Sequence, residues 1–343
     1  MIVKRKLASI QIVSDVQPID GADRIEVARV LNWNVVVGKG EFKAGDKCVY
    51  CEIDSVLPDF AEYEFLRKSC YIDKNGFRGF LIKTKKMRGI ISQGLVLPLT
   101  VEYGIDELAV GTDVTDILGI VKYDPPLPEC LGGLAKGNFP SWIPSTDELR
   151  IQGTTGVLQR HKGKVFYVTE KIDGVSATYY LKDGEFGVCS RNLELKETES
   201  NTYWHIARVL DIEGKLRHFG MNIAIQGEIY GKGIQRNYGL PNQHFRVYSV
   251  YDLEKNEYLG FRDALRLVEM LGLDFVPIIY DVLILDEDIN VLLKMASEFP
   301  SAINDEFDME GIVVRSYEES TDIELGRLSF KVISNEDLIK RKI

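Results

Sequence analysis

Along residues 3–118, short runs of alternating apolar and polar positions follow one another with turn signals between them. β-Branched residues alternate through 27–37. Asn75-Gly76 predicts a hairpin turn before a strand over 77–82, and Asp20-Gly-Ala-Asp23 and Gly38-Lys-Gly40 supply further turns. Many short strands punctuated in this way predict a small barrel of the OB type. The pattern then breaks. Residues 123–140 hold four prolines and three glycines, the composition of a linker. Beyond it, strands are predicted over 165–168, 175–181, 223–229, 246–253, 312–314 and 328–333, with helices over 203–210 and 264–271. The expected organisation is α+β: an OB-type domain over 1–120, a linker over 121–140, and a domain of mixed antiparallel sheets with helices over 141–343.

Composition supports a globular chain, since 45% of its 343 residues are hydrophobic. No charged-then-apolar signal pattern opens the sequence, and no apolar run is long enough to span a membrane. A cytoplasmic location is therefore expected, with a nuclear one equally compatible. The formal net charge is −10, which by itself argues against nonspecific binding to nucleic acid. The charge is uneven, however: residues 1–120 carry 16 basic and 17 acidic side chains, so nearly all the excess lies downstream. A local basic groove can coexist with an acidic whole, because salt leaves only near charges to matter. The densest basic run of the first half is Lys83-Thr-Lys85-Lys86-Met-Arg88. It reads equally well as a groove contact or as a solvated strand edge.

The five cysteines, Cys48, Cys51, Cys70, Cys130 and Cys189, read as reduced thiols. Cys48 and Cys51 form a lone CxxC in an alternating run, where residues three apart point to opposite faces. Two core cysteines are expected there, not a metal or redox site. The four histidines, His161, His205, His218 and His244, show no metal spacing.

The sharpest chemical signal is Thr169-Glu170-Lys171-Ile172-Asp173-Gly174. It sets a lysine just after a strand and before a glycine that permits a tight turn. Lysine is a nucleophile only when neutral, and a nearby metal or cation disfavours its ammonium form. Alone, K-x-D-G is more often an ordinary hairpin turn. Downstream, however, come Ser190-Arg191-Asn192, Gln226-Gly227-Glu228-Ile229-Tyr230-Gly231, and Phe245-Arg-Val-Tyr248-Ser-Val-Tyr251-Asp252. They are followed by Met309-Glu310-Gly311-Ile312-Val313-Val314-Arg315 and Leu328-Ser329-Phe330-Lys331-Val332.

In order and spacing these six segments resemble motifs I, Ia, III, IIIa, IV and V of the covalent nucleotidyltransferases, the superfamily of ATP-dependent ligases and mRNA capping enzymes. The resemblance covers roughly 145–335. Only twelve residues follow Lys331, whereas DNA ligases and capping enzymes carry an OB domain after motif V. An OB-like region before the transferase domain instead resembles the RNA ligases of the Deinococcus and Naegleria type. That resemblance implies an ATP-dependent RNA ligase. It would join 3′-OH and 5′-phosphate RNA ends, nicked duplexes among them, through a lysyl-AMP and a 5′-adenylated polynucleotide. Residues 1–120 would grip the RNA, and a monomer is expected.

The resemblance also implies roles. Lys171 would carry AMP. Asp173, Glu228 and Glu310 would hold a hydrated Mg2+ or Mn2+ near the α-phosphate, and Lys331 would touch that phosphate. Arg150 would contact the phosphates and Arg191 the ribose or RNA end. Tyr248 would stack on adenine, with Phe245 as the alternative, and Ile312 or Val313 would form the floor under the other adenine face. The backbone of Glu170 would read the adenine edge. Many relatives carry a second lysine where this chain has Ser329, which leaves part of motif V in doubt. Two other readings stay open: a ligase acting mainly on DNA or mixed RNA/DNA nicks, and an RNA-binding protein with a decayed transferase domain. NAD as AMP donor would require a further N-terminal domain of a kind that 1–118 does not resemble.

Overall fold

The computed structural model describes residues 5–74, 76–99, 104–123 and 134–340. Within them the chain forms two compact units. One takes 134–150 and 156–337; the other takes 5–123, 151–155 and 338–340.

The N-terminal unit contains strands β1 (Ala8–Pro18), β2 (Ile25–Val30), β3 (Trp33–Gly38), β4 (Lys47–Cys51), β5 (Ser55–Leu57), β6 (Tyr71–Lys74), β7 (Phe77–Leu81), β8 (Lys85–Met87), β9 (Ile90–Ser92), β10 (Leu95–Pro98) and β11 (Val121–Lys122). One sheet has the order β10-β4-β1-β2-β3 and a second the order β11-β5-β7-β6. The expected hairpin after β6 is present, with Lys74 paired to Phe77; Asn75 itself lies outside the described residues. The basic run falls on a two-stranded ribbon of β8 and β9, where Lys85 Nζ donates to the Ser69 carbonyl at 3.1 Å. A cavity of about 520 Å3 in this unit is lined by Val36, Val37, Leu95, Leu97, Phe65 and Met87, with Glu41 and Glu62 its charged members. Carboxylates on an apolar wall make it no phosphate site.

Strands occupy both ends of the expected linker. Val121–Lys122 pairs with β5, and β12 (Ala135–Asn138) pairs with β17 (Leu193–Leu195). Sheet hydrogen bonds satisfy the backbone at both ends. Residues 124–133 and Cys130 lie outside the described residues.

The second unit adds β13 (Leu149–Arg150), β14 (Val165–Glu170), β15 (Val175–Lys182), β16 (Glu185–Cys189), β18 (Ile223–Gly231), β19 (Gln243–Asp252), β20 (Glu257–Tyr258), β21 (Ile278–Ile284), β22 (Gly311–Ser316), the hairpin β23 (Thr321–Asp322) and β24 (Gly326–Arg327), and β25 (Ser329–Ile333). They form a seven-stranded sheet, β12-β17-β16-β15-β18-β19-β20, and a five-stranded sheet, β13-β25-β22-β14-β21. A short helix in the N-terminal unit is α1 (Arg67–Cys70). The second unit contributes α2 (Val157–His161), α3 (Thr202–Val209), α4 (Ile212–Phe219), α5 (Phe261–Met270), α6 (Ile289–Glu298) and the start of α7 (Asn335–Lys340). Asn201 caps α3, its side chain accepting from the Tyr203 and Trp204 amides, and such a cap contributes about 1 kcal/mol. Helices α3, α4 and α5 bury Ile206, Leu216, Phe261 and Val268 in one core with Tyr179 and Val247 of the larger sheet. Helix α6 covers one face of the smaller sheet. Among the described residues, no helix is long and apolar enough to cross a membrane.

The CxxC divides as its alternation predicts. Cys48 joins the core around Trp33 and Tyr50, and Cys51 joins the one around Ile10 and Phe80. Both thiols are free, and burial pushes each up to about 12. An alkylating reagent at pH 8 should therefore leave Cys48 and Cys51 unlabelled in the folded protein and label both in urea. Peptide mapping that finds either modified without denaturant would contradict this packing.

Candidate active site

Lys171 immediately follows β14. Its amide donates to the Gly311 carbonyl at 2.9 Å, extending the β14–β22 ladder by one step. Strand alternation places Lys171 on the sheet face that carries Thr169. Register carries that face across the sheet: Thr169 pairs with Val313, Val313 with Lys331, and Lys331 with Arg150 on parallel β13. Three separated sequence segments thus deliver Lys171, Lys331 and Arg150 to one surface.

Glu310 precedes β22, and Lys171 Nζ donates to its Oε2 at 2.6 Å. Glu228 comes from β18 in the other sheet, opposite Ser176 of β15. The turn that brings the sheets together needs glycine for a reason other than turn conformation. A Cβ at Gly174 would sit 2.2 Å from the Ile229 carbonyl oxygen and 2.9 Å from Glu228 Cγ, so a side chain there would push Lys171 and Glu228 apart.

Burial pulls the Lys171 ammonium down, but Glu310, Glu228 and Asp173 outweigh it and hold the group above the usual lysine range. Burial pushes the Glu228 carboxyl up to about 8, with Glu310 and Asp173 adding to the effect against Lys171. Three carboxyl groups surround the ammonium, and the repulsion that Glu310 and Asp173 exert on Glu228 is of the kind a divalent cation would relieve. Such an ion would also remove the field that keeps Lys171 protonated. Among the described residues, no group of three His, Cys, Asp or Glu is placed to ligate a metal ion directly. The three carboxyl groups around Lys171 would suit a hydrated ion reached through its waters, the habit of Mg2+.

Lys331 Nζ donates to Asp147 Oδ1 at 3.1 Å, and Arg191 donates to Asp147 Oδ2 at 2.5 Å. One carboxylate thus joins two of the expected phosphate- and ribose-contacting cations. Tyr248 is the extra residue of a β-bulge, for β18 steps from Gln226↔Ser249 to Gly227↔Val247. Its hydroxyl meets Ser176 Oγ and Thr146 Oγ1, each at 3.0 Å. Phe245 is instead a core residue, edge-on to Tyr179 with ring centroids 5.1 Å apart.

Two of the expected residues are engaged inside the fold. Ile312 is fully buried and alternates onto the face covered by α6, away from Lys331. Val313 is the residue of that pair on the Lys331 face. Glu170 has both its amide and its carboxylate committed internally. The amide donates to the Pro277 carbonyl, and the carboxylate accepts from Ser301 Oγ and the Ala302 amide. It anchors the chain after α6.

A family model described as an OB-fold domain matches residues 7–99, and one described as RNA ligase matches 164–333. Solved structures of Naegleria gruberi RNA ligase are 40% identical to the chain. An apo mutant covers 98% of both chains with a TM-score of 0.91. A mutant with AMP and Mn covers 97% of this chain and 98% of its own, also at 0.91, and a mutant with ATP and Mn has the same coverage at 0.90. The chain belongs to the RNA ligase family. No curated protein compared with the chain matches it.

In this ligase the row containing Ser329 is not without charge. Arg315 pairs directly with Ser329 across β22 and β25. Its guanidinium donates to Glu148 Oε1 at 2.8 Å and lies 5.5 Å from the centroid of the Tyr248 ring. Burial raises the Glu148 carboxyl, but Arg315, Lys331 and Arg327 together hold it below the usual carboxylate range. Spacing along the chain assigns Arg315 and Glu148 no role. A lone arginine in the apolar run Ile312-Val313-Val314 was the available signal.

The Glu228 proton has a measurable consequence. Below pH 8 a cation entering the carboxylates must displace it, so affinity should weaken as pH falls, by up to about tenfold per unit. Calorimetric titration of the ligase with Mn2+ from pH 6.5 to 8.5 should show this trend; a flat profile would mean that Glu228 is ionised throughout.

Proposed function

We propose that this RNA ligase is ATP-dependent and seals 3′-OH and 5′-phosphate ends through an AMP carried on Lys171. The observation that carries the reading is the contact of Lys171 Nζ with Glu310 Oε2 at 2.6 Å, on the same sheet face as Lys331 and Arg150. A lysine buried to three-quarters of its side chain, beside carboxylates and facing cations, suits attack on a phosphate more than a surface role. The relatives solved with ATP and Mn or AMP and Mn support the choice of donor and metal.

In the first step the Lys171 nitrogen loses a proton and its lone pair attacks the α-phosphorus of ATP. A P–N bond forms, and the bond to the β-phosphate oxygen breaks to release pyrophosphate. Lys331 and Arg150 stabilise charge on the phosphate oxygens. Asp173, Glu228 and Glu310 would hold the divalent metal, whose chemistry is to neutralise phosphate charge and favour the neutral amine. Next, an RNA 5′-phosphate oxygen attacks the carried AMP. The P–N bond breaks, Lys171 regains its proton, and a 5′-5′ pyrophosphate linkage forms. Finally the 3′-OH attacks the 5′-phosphate, loses its proton and displaces AMP. Tyr248 supplies an aromatic face for adenine, and Val313 is the better candidate for its floor than Ile312.

Incubation with α-labelled ATP and Mn2+, followed by denaturing electrophoresis, should leave label on the wild type and none on Lys171→Ala. If wild type that is free of bound AMP takes up no label with Mg2+ or Mn2+, the proposal fails. Nicked duplexes that differ only in an RNA or DNA 3′-OH strand test the choice of substrate. The RNA strand should be sealed at least tenfold faster, because telling the two apart requires a contact to the 2′-OH. Equal rates would favour a mixed-nick ligase.

A further inference from the structure

Arg236 lies in the loop between β18 and β19, outside every motif of the sequence reading. Its three nitrogens reach three separate groups. Nε lies 3.5 Å from Asp173 Oδ2. One terminal nitrogen donates to the Asp308 carbonyl at 2.8 Å, and the other pairs with Asp337, a residue only 3% exposed near the start of α7. Two residues on, Tyr238 is fully buried, and its hydroxyl accepts from the Asp173 amide at 2.8 Å. Tyr238 is fixed in turn, since Asn304 Nδ2 donates to its carbonyl at 2.9 Å.

We propose that Arg236 is a positioning residue for lysine adenylation, holding Asp173 and the segment leading into Glu310 at a fixed separation around Lys171. The inference rests on the lysyl-AMP reading. Asp173 lies two residues after Lys171 and Asp308 two before Glu310, so one guanidinium spans the two chain segments whose carboxylates flank the nucleophile. A planar fork with five N–H groups can serve three acceptors in different directions, whereas an ammonium on a flexible stem cannot hold all three at once. Arg236 acts through Asp173 and the Asp308 carbonyl and need not touch the nucleotide. Removing it would let the Asp173 side chain turn away and would loosen the 171–174 turn.

The test compares wild type with Arg236→Met, Arg236→Lys and Asp337→Asn. It measures single-turnover lysine adenylation against ATP concentration, and hydrogen exchange at the 171–175 backbone in metal-free protein. Arg236→Met should lower the maximal adenylation rate 10–100-fold, as loss of a group that orients ligands typically does. Half-saturation by ATP should change less than threefold, and the Asp173 amide should exchange at least tenfold faster. Arg236→Lys should recover part of the rate, and Asp337→Asn should fall between it and wild type. An Arg236→Met rate equal to wild type overturns the proposal. So does a rise in ATP half-saturation with unchanged exchange, which would make Arg236 a nucleotide contact. If Arg236→Met does not fold, Asp337→Asn decides: wild-type rate and exchange there overturn the proposal. If wild type takes no label on Lys171, the ligase mechanism fails, and the exchange measurement alone judges whether Arg236 holds the turn.

Discussion

One buried ammonium at the end of β14 is surrounded by three carboxyl groups brought in from separate segments of the second unit. As the proposed nucleophile, Lys171 must lose a proton that Glu310, Glu228 and Asp173 favour. The same carboxylates are what would attract a divalent cation, and the cation would release the proton. An ion held there would favour the neutral amine as well as act as a Lewis acid. Burial pushes the Glu228 carboxyl up to about 8, with Glu310 and Asp173 adding to the effect.

Holding such a site together requires exact register more than local turn chemistry. Lys171, Lys331 and Arg150 share a face because Thr169, Val313, Lys331 and Arg150 fall in one row across four strands. A slip of one residue in β25 would turn Lys331 into the α6 side and bring Phe330 or Val332 to the phosphate side. Burial enforces the register: Phe330, Val332, Ile312 and Val314 are all fully buried on the other face. The apolar pattern of one face therefore sets the chemistry of the other.

Much of this was legible in the sequence, for identifiable reasons. Long alternating or apolar runs such as 175–181 and 223–229 give strands close to those observed, β15 and β18, because side-chain period determines which face is buried. The CxxC resolved correctly by the same rule. Less legible were elements without a clean period. The edge strand β21 exposes Val282 and Ile284, so its sequence does not read as half-buried, and the two-residue strands β11 and β13 are defined by their partners alone. In the site, ordered motifs located Lys171 and its carboxylates. Pairing across the sheet puts Val313, and not Ile312, on the Lys331 face, and packing against Tyr179 puts Phe245 in the core. Neither placement can be read from spacing.

Ser329 shows why position in a motif is a poor proxy for charge in a site. Read along the chain, the missing lysine looks like loss of a phosphate-binding cation. Read across the sheet, the same row holds Arg315, a guanidinium supplied by the neighbouring strand. Glu148 meets both residues, accepting from Arg315 at 2.8 Å and from the Ser329 hydroxyl at 3.3 Å. A second lysine at 329 would stand beside a buried arginine, and like charges directly opposite in a sheet are destabilising. A small hydroxyl that can donate to Glu148 is what the arginine leaves room for. Ser329 therefore stands in a row that already holds a guanidinium and a carboxylate.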